Sequence, residues 1–575
     1  MSTTLINGSS RNGHEQRLPR GVLLDVDGKV LNGRSLLDVQ NTGYGNYGAN
    51  VSKNSLAGWL FRGGDADTDI GLNVQVLRER SRDAFMGIPL AAAAVETYDT
   101  NVIGEGLYPA PNVDAEYLGL SAQQGAELNN EIAEKFEWWA CDPRECDYEG
   151  RDTFYMKQST AFQSMLLSGD CPILFPLKPR ERTLFDLRVR ILEADRIVNP
   201  ARVDPSKNIF SGVEMDEEGE LLAYHISKRH PLASVTSRFQ SFLQPAETVR
   251  VEPYGVLTGR RNMVLLIKPE RPEQRRGVPI LSVCLELLKQ MGRYTDATVV
   301  AAVIQSYFTA FITQEFPDPT IFEDLLTEEQ KAQILDLNPY NVQLGPGVVN
   351  FMRPGHAVNF SSPTQPHSNF GEFSIAVAKF VGAAVGIPYE VLLKQFNASY
   401  SASRAALLDF WKRVRKYRAQ VIDQMCQPAY EEWLIDAVLL SRIERFKGNI
   451  LDALVRKALC RCNWTGSSAG SLDPQKEVAA AEAKVAAGFS TIERESMELN
   501  GSNWRDNVRQ QSTERDEFES VGLPFPPDRK KAAAPGGFAA PSPERGQPAA
   551  RTKVKLQRNT RRTTATLSTS GEFIR

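Results

Sequence analysis

Residue types that could do chemistry are scattered along this chain, and each cluster has to be tested for the spacing its chemistry needs. Residues 466–470, Gly-Ser-Ser-Ala-Gly, match the G-x-S-x-G turn that presents a hydrolase serine. That turn takes a preceding strand and, in the usual chain order, a later histidine, yet the last histidine here is His367. A Gly/Ser linker fits the pentapeptide better. Asp65-Ala66-Asp67-Thr68-Asp69 begins like a calcium loop but has Ile70 where the sharp turn needs Gly and Val76 where a bidentate Glu is required. It predicts a turn entering a helix. Cys141/Cys146 and Cys460/Cys462 lack matched CxxC partners, and His225 with His230 supplies half a zinc set. There is no Walker A loop, no G-x-G-x-x-G turn and no H-E-x-x-H helix. Five histidines leave acid–base work to carboxylates. The sequence predicts no catalytic residue, no cofactor and no metal, with a dispersed carboxylate site as the open alternative.

A different chemistry, loose contact with a polyanion, fits residues 386–418. Phe396–Ser403 is a polar loop carrying Asn397, Ser399, Ser401 and Ser403, with Lys394 the one cation close to it. Short amide and hydroxyl groups make weak, exchangeable hydrogen bonds. The helix that follows starts at Ser401 or Ser403 as N-cap, since a hydroxyl can accept from a free first-turn amide. It carries Arg404 and then Lys412, Arg413, Arg415, Lys416 and Arg418. Leu407, Leu408, Trp411, Val414, Val421, Ile422 and Met425 recur at helical spacing and predict the buried face. The basic residues read equally as a wet helix face, a subunit contact or a DNA contact.

The elements that must position this segment follow from pattern. At 575 residues, 42% hydrophobic and 24% charged, the chain suits two to four domains. No run of 18 apolar residues occurs, and the polar start lacks a signal-peptide core, which predicts synthesis in a cytoplasm without export by the usual routes. Seven cysteines fit reduced thiols. Residues 521–575 hold eleven Lys/Arg against three acids, a net +8, leaving −11 for residues 1–520. That tail, low in complexity, reads as disordered and as a second candidate for nucleic-acid attraction.

Residues 1–70 read as a loose arm and 72–102 as helical with Pro89 dividing them. Residues 122–140 read as an amphipathic helix, and 153–266 as mixed, with β-prone runs between turns. Residues 280–313 form the longest helical tract, roughly 50 Å at 1.5 Å per residue. A β-prone insert spans 314–366, helix returns at 368–385, and helices dominate to about 459, with Pro428 a break. A linker precedes further helix from Pro474. The fold class is α+β, mainly helical.

Six segments in order, from about residue 40 to 520, together resemble the lambda-type family of phage portal proteins. They are LRERSRDAFMGIPLAAAAVETYDTNVIGEGLYPAP from Leu77, WWACDPRECDYEGRDTF with LLSGDCPILF, ILEADRIVNP with GVEMDEEGELLAYHI, IKPERPEQRRGVPILSVCLELLKQMGRYTDA, GIPYE with YSASRAALLDFW, and SLDPQKEVAAAEAKVAAGFSTIERE. The resemblance implies a homo-oligomeric ring, usually of twelve subunits, around a channel for double-stranded DNA. It also implies partners in the terminase large subunit, a head–tail adaptor and the major capsid or scaffold protein, with no membrane, in the virion after assembly in the bacterial host cytoplasm. On this chain it implies an arm (1–70), a mixed α/β wing (71–279), a first stem helix (280–313), a β-containing clip (314–366), a second stem helix (367–389), a channel loop (390–403), a long helix and crown approach (404–465), helical crown (466–520) and a basic tail (521–575). A non-ring DNA-binding protein acting through the tail is the other alternative.

Overall fold

The computed structural model describes residues 54–56, 63–231, 247–306, 310–312, 327–328, 349–351, 370–396, 400–468, 474–501, 504–523 and 525. The expected arm up to residue 62 (Asn54–Leu56 apart), most of the clip, Asn397, Ser399 and the basic tail beyond Phe525 lie outside them. The chain divides into two compact units, at Gly501/Ser502.

Helices α1 (Val74–Gly87) and α2 (Pro89–Val102) are one apolar-patterned run divided where the sequence predicts. Pro89 stands in the first turn of α2, where a missing N–H costs no hydrogen bond. Strand β1 (Tyr108–Pro111) follows, then α3 (Ala122–Cys141). Its capping box is complete: Gln124 N donates to Ser121 Oγ at 3.2 Å, and Ser121 N donates to Gln124 Oε1 at 2.9 Å. Helix α4 (Phe154–Ser168) is capped by Thr153 and ends at Gly169, whose φ of +88° suits glycine.

The mixed region contains the expected strands. β2 (Asp170–Leu174) lies between β3 (Arg190–Ile191) and β8 (Met263–Ile267), all antiparallel. Between β3 and β8 in the chain, β4 (Asn208–Phe210), β5 (Val213–Met215), β6 (Leu221–Ser227) and β7 (Thr248–Val251) form an antiparallel meander. Its inner face packs a small core of Leu192, Ile197, Val213, Tyr224, Ile226 and Met263.

The long tract at 280–313 is shorter than expected. Residues 280–284 form hydrogen-bonded turns, and helix α5 spans Leu285–Ser306. Ala310–Ile312 is strand β9, paired in parallel with β10 (Val349–Phe351). Phe311 and Ile312 suit a pleated ladder better than a helix. The second helix of the expected pair, α6 (Phe370–Val385), packs on α5 through Tyr294 against Phe370 and Phe373. Helix α7 spans Tyr400–Val421 and runs through a π-turn (Ile422–Cys426) into α8 (Gln427–Leu439). The expected break at Pro428 does not occur: the helix continues through it, with the turn before it widened. A proline has no N–H for the preceding turn and its ring crowds the carbonyl there, and a wider turn relieves both.

Helix α9 (Ala453–Leu459), strand β11 (Cys462–Thr465, antiparallel to β1), α10 (Pro474–Ala486) and α11 (Ile492–Asn500) complete the first unit. The described part of the second is α12 (Trp504–Ser520) and the turn after it, where Phe518 meets Phe525. The main core is aromatic: Phe136, Trp139, Phe154, Tyr430 and Trp433 are all fully buried, with Phe136 and Trp433 edge to face at 5.0 Å.

Candidate nucleic-acid interface

The segment at 386–418 lies between α6 and the body of α7, and α6 sets its start. Gly386 has φ +78°, and a Cβ there would stand 1.7 Å from the Arg413 guanidinium, so only glycine fits. The last carbonyl of α6, Val385 O, accepts from the Tyr98 hydroxyl at 2.7 Å and from Arg413 Nη1 at 3.0 Å. A cation at a helix C-terminus also complements the macrodipole. A single turn, Tyr389–Leu392, then leads to Lys394, which is exposed and left-handed at φ +54°. Asn397 and Ser399 lie outside the described residues. Ser401 and Ser403 fall inside the first turn of α7 rather than before it, because the helix already starts at Tyr400. Neither is the N-cap. The alanines at 402, 405 and 406 favour that longer helix.

Phe410, Trp411, Val414, Tyr417 and Val421 form the buried face of α7, with Tyr98 packed on Phe410 and Tyr417 at 5.8 and 5.2 Å. Leu408, expected there, is 57% exposed. At 100° per residue it sits roughly 130° from the centre of that stripe.

The basic residues separate into two sets. Arg418 points inward: Nε donates to Val102 O at 3.0 Å, and Nη2 donates to Asn101 O at 2.9 Å and Ser467 O at 2.8 Å. Burial, with Arg415 adding repulsion, lowers its pKa to about 10, so it stays charged at neutral pH. Arg413 holds α6, and Arg404 reaches Glu477 of α10 at 3.7 Å. Lys412 pairs loosely with Asp409 at 3.4 Å, both well exposed. Arg415 and Lys416 are exposed, with no ion pair among the described residues. The basic run thus supplies three structural anchors and a small wet patch of Lys412, Arg415 and Lys416. Nothing local in the sequence marked Arg418 as an anchor, since its carbonyl partners on α2 lie 316 and 317 residues away.

The remaining clusters make contacts within the fold. Asp65 Oδ1 accepts from Thr68 N, while Asp67 and Asp69 pair with Arg275 at 3.0 Å and Arg271 at 2.6 Å, the turn-and-helix entry the sequence predicts. His225 and His230 reach different carboxylates, Glu214 at 2.9 Å and Glu193 at 2.8 Å. Burial would raise the Glu214 carboxyl, but hydrogen bonds from Arg250, Lys207 and His225 outweigh it and hold the group at about 2. Glu193, Asp195 and His230 do converge, yet Arg82 donates two bonds to Asp195 at 2.7 and 3.0 Å and takes up its charge. A strand, β11, precedes the G-x-S-x-G match, and the residue before its serine, Ser467, accepts from Arg418 through its carbonyl at 2.8 Å. The cysteines are all free, and burial pushes Cys146 and Cys171 up to about 12, which removes the thiolate at neutral pH.

Among the buried charges that the sequence did not mark, Asp170 is the most fully paired. Asp170, at the start of β2, accepts two bonds from Arg78 Nη2 at 2.9 Å, two from Arg276 at 2.8 and 3.1 Å, and one from Gly277 N at 2.9 Å. Arg276 also donates to the carbonyls of Ala194, Ile197 and Ser211, tying both sheets together. No helix of the described residues is long and apolar enough to cross a membrane.

Comparison with known proteins adds the following. The family model for phage portal proteins of the lambda family matches residues 52–418, from before α1 to within α7. Portal protein B of Escherichia phage lambda is 22% identical over 473 residues, covering 80% of this chain and 86% of that protein. The portal protein of Escherichia phage N15 is 22% identical over 497 residues, covering 84% and 91%. Among solved structures, the neck of a native gene transfer agent particle, computed with C12 symmetry, aligns over 74% of this chain and 92% of that chain at 12% identity and a TM-score of 0.37.

Proposed function

The chain belongs to the lambda family of phage portal proteins, and on that premise we propose that it is the subunit of a ring, of twelve copies, at one vertex of a phage or prophage capsid. Double-stranded DNA is packaged and ejected through the ring. The observation that carries this reading is the family match over α1 to α7, which spans the segment at 386–418 and the helix pair before it. The electrostatics support a conduit. Each fixed cation–phosphate contact adds salt-dependent affinity and therefore drag on moving DNA. Three of the seven named cations in this segment (Arg404, Arg413 and Arg418) are engaged within the fold, leaving Lys394, Lys412, Arg415 and Lys416 as candidate contacts. Residues 1–520 net −11, so twelve copies hold on the order of −130 charges, repelling DNA within the roughly 8–10 Å that salt allows.

In this reading α1–α4 and β2–β8 form the wing, α5 and α6 the stem, the segment around β9 and β10 the clip, residues 390–403 the channel loop, and α7–α12 the crown and its approach. The terminase large subunit docks during packaging and a head–tail adaptor replaces it, with the major capsid or scaffold protein around the ring. Assembly takes place in the host cytoplasm and the product stays in the virion. Mass photometry and negative-stain imaging of the purified chain test the proposal. The expected result is a symmetric ring near 770 kDa, twelve copies of 63.9 kDa. A monomer under all salt conditions overturns it.

A further inference from the structure

Helix α6 carries apolar side chains on two opposite flanks, and α5 continues one of them. On one flank Gly371, Ser374, Ile375 and Ala378 of α6 face a cleft of about 910 Å³. Its other walls are α5, the α1–α2 junction at Ile88–Leu90 and Leu392–Leu393 after α6. On α5 the cleft-facing stripe through Gly292 continues at seven and eleven residues' distance as Val299 and Val303, both exposed. On the other flank Phe373, which packs its ring against Tyr294 of α5, and Phe380 are 46% and 68% exposed. At 100° per residue they lie roughly 150–170° around α6 from the cleft-facing residues. Apolar side chains outside the core-facing stripe of a helix are surface on which a partner can pack, and neither helix is long and apolar enough for a membrane.

From these two flanks we infer that the Phe373/Phe380 face of one copy seats in the Ile88–Ile375–Leu393 cleft of the next copy, as the head-to-tail contact of the ring. The inference rests on the ring reading above and adds which surface meets which. Two different, complementary patches on opposite sides of one element make a heterologous contact, which propagates and closes under rotation. A twofold dimer would need one self-complementary patch. Charge allows the approach: the cleft rim offers Asp83 and Asp296 with Lys289 and Arg293, and α6 brings Glu372 and Lys379, so each side is neutral. Aromatic side chains entering an apolar cleft are the kind of anchor that dominates association.

The test uses the full chain carrying F380E, which spoils the aromatic flank, or I375E, which spoils the cleft. Each variant alone is expected to lower the ring fraction by at least about tenfold at matched concentration, with melting temperature near wild type. Mixed one to one, the two variants retain one intact junction and should give dimers of two 63.9 kDa chains, never rings. If either variant misfolds, a photoreactive benzoylphenylalanine at position 380 decides the matter. Crosslinks to residues 88–93, 371–378 or 392–395 of another copy support the contact. Rings of wild-type yield from both variants, or crosslinks elsewhere or none, overturn it while leaving the ring itself intact. Absence of wild-type rings instead removes the ring reading.

Discussion

Asp170 shows how a single residue can govern two layers of the structure. Burial alone would raise its carboxyl, but Arg276 and Arg78 outweigh that and hold it below the ordinary carboxylate value. A carboxyl depressed in the folded state stabilises the fold at every pH above its unfolded value, near 3.9, and loses that contribution as pH falls through the folded value. Asp170→Asn should cost about 3–5 kcal/mol, because it leaves two buried guanidinium groups without their counter-charge. Melting curves from pH 7 down to 3 check this: the wild type should hold steady to about pH 5 and then fall, and the variant should start lower with a shallower acid slope. Within the basic run the same scale separates anchor from patch. Arg418→Ala leaves three carbonyls without a donor and should cost about 2–3 kcal/mol. Lys416→Ala should stay within about 0.5 kcal/mol while reducing the salt dependence of DNA binding. Thermal melts paired with salt-titrated binding distinguish the two, and equal stability losses would refute the division.

At the scale of elements, the link between α6 and α7 depends on a close approach, with Gly386 beneath the Arg413 guanidinium. Gly386→Ala meets two penalties, a left-handed backbone that a Cβ disfavours and a clash with a side chain. Removing the guanidinium with Arg413→Ala should relieve the second and keep the first. In a double-mutant cycle the two substitutions should therefore cost less together than the sum of their separate losses, by about 1 kcal/mol. Strict additivity would show that Arg413 does not crowd Gly386. The π-turn at Ile422–Cys426 is a similar local accommodation, since it lets α7 and α8 continue through Pro428 as one rod. Gln420 and Gln424 on that rod bracket Ile267 of β8, Gln420 Nε2 donating to its carbonyl at 2.7 Å and Gln424 Oε1 accepting from its N–H at 2.8 Å, so the helix is fixed to the sheet where its geometry changes.

For the whole molecule, the proposed conduit makes the loop before α7 the part that meets moving DNA. Replacing Asn397 and Ser399 together by Asp should cut packaged DNA by about tenfold or more through repulsion of phosphate, with ring formation unchanged. Packaging yield and particle mass measured on the same preparations check this, and loss of the ring would show that the loop serves assembly. The acidic balance of residues 1–520 and the engaged Arg404, Arg413 and Arg418 act in the same direction: around the segment at 386–418 few cations remain to grip a polyanion.

Much of this molecule could be read along the chain. Pro89 at a helix start, the Ser121–Gln124 capping box, the strands at 170–174, 221–227 and 263–267 and the family's ordered segments are local signals, because capping, proline chemistry and alternation act between near neighbours. The polar loop and basic run at 386–418 were legible as residue types. Their division was not. Arg418 and Arg413 differ from Lys416 by partners brought up from α2 and α6, and Asp170 finds Arg78 and Arg276 across 92 and 106 residues. The shortened α5, the π-turn and the exposure of Leu408 belong to the same class. Periodicity specifies that a helix has an apolar stripe, but which residues are covered depends on what packs against it, and that is settled only when distant segments meet.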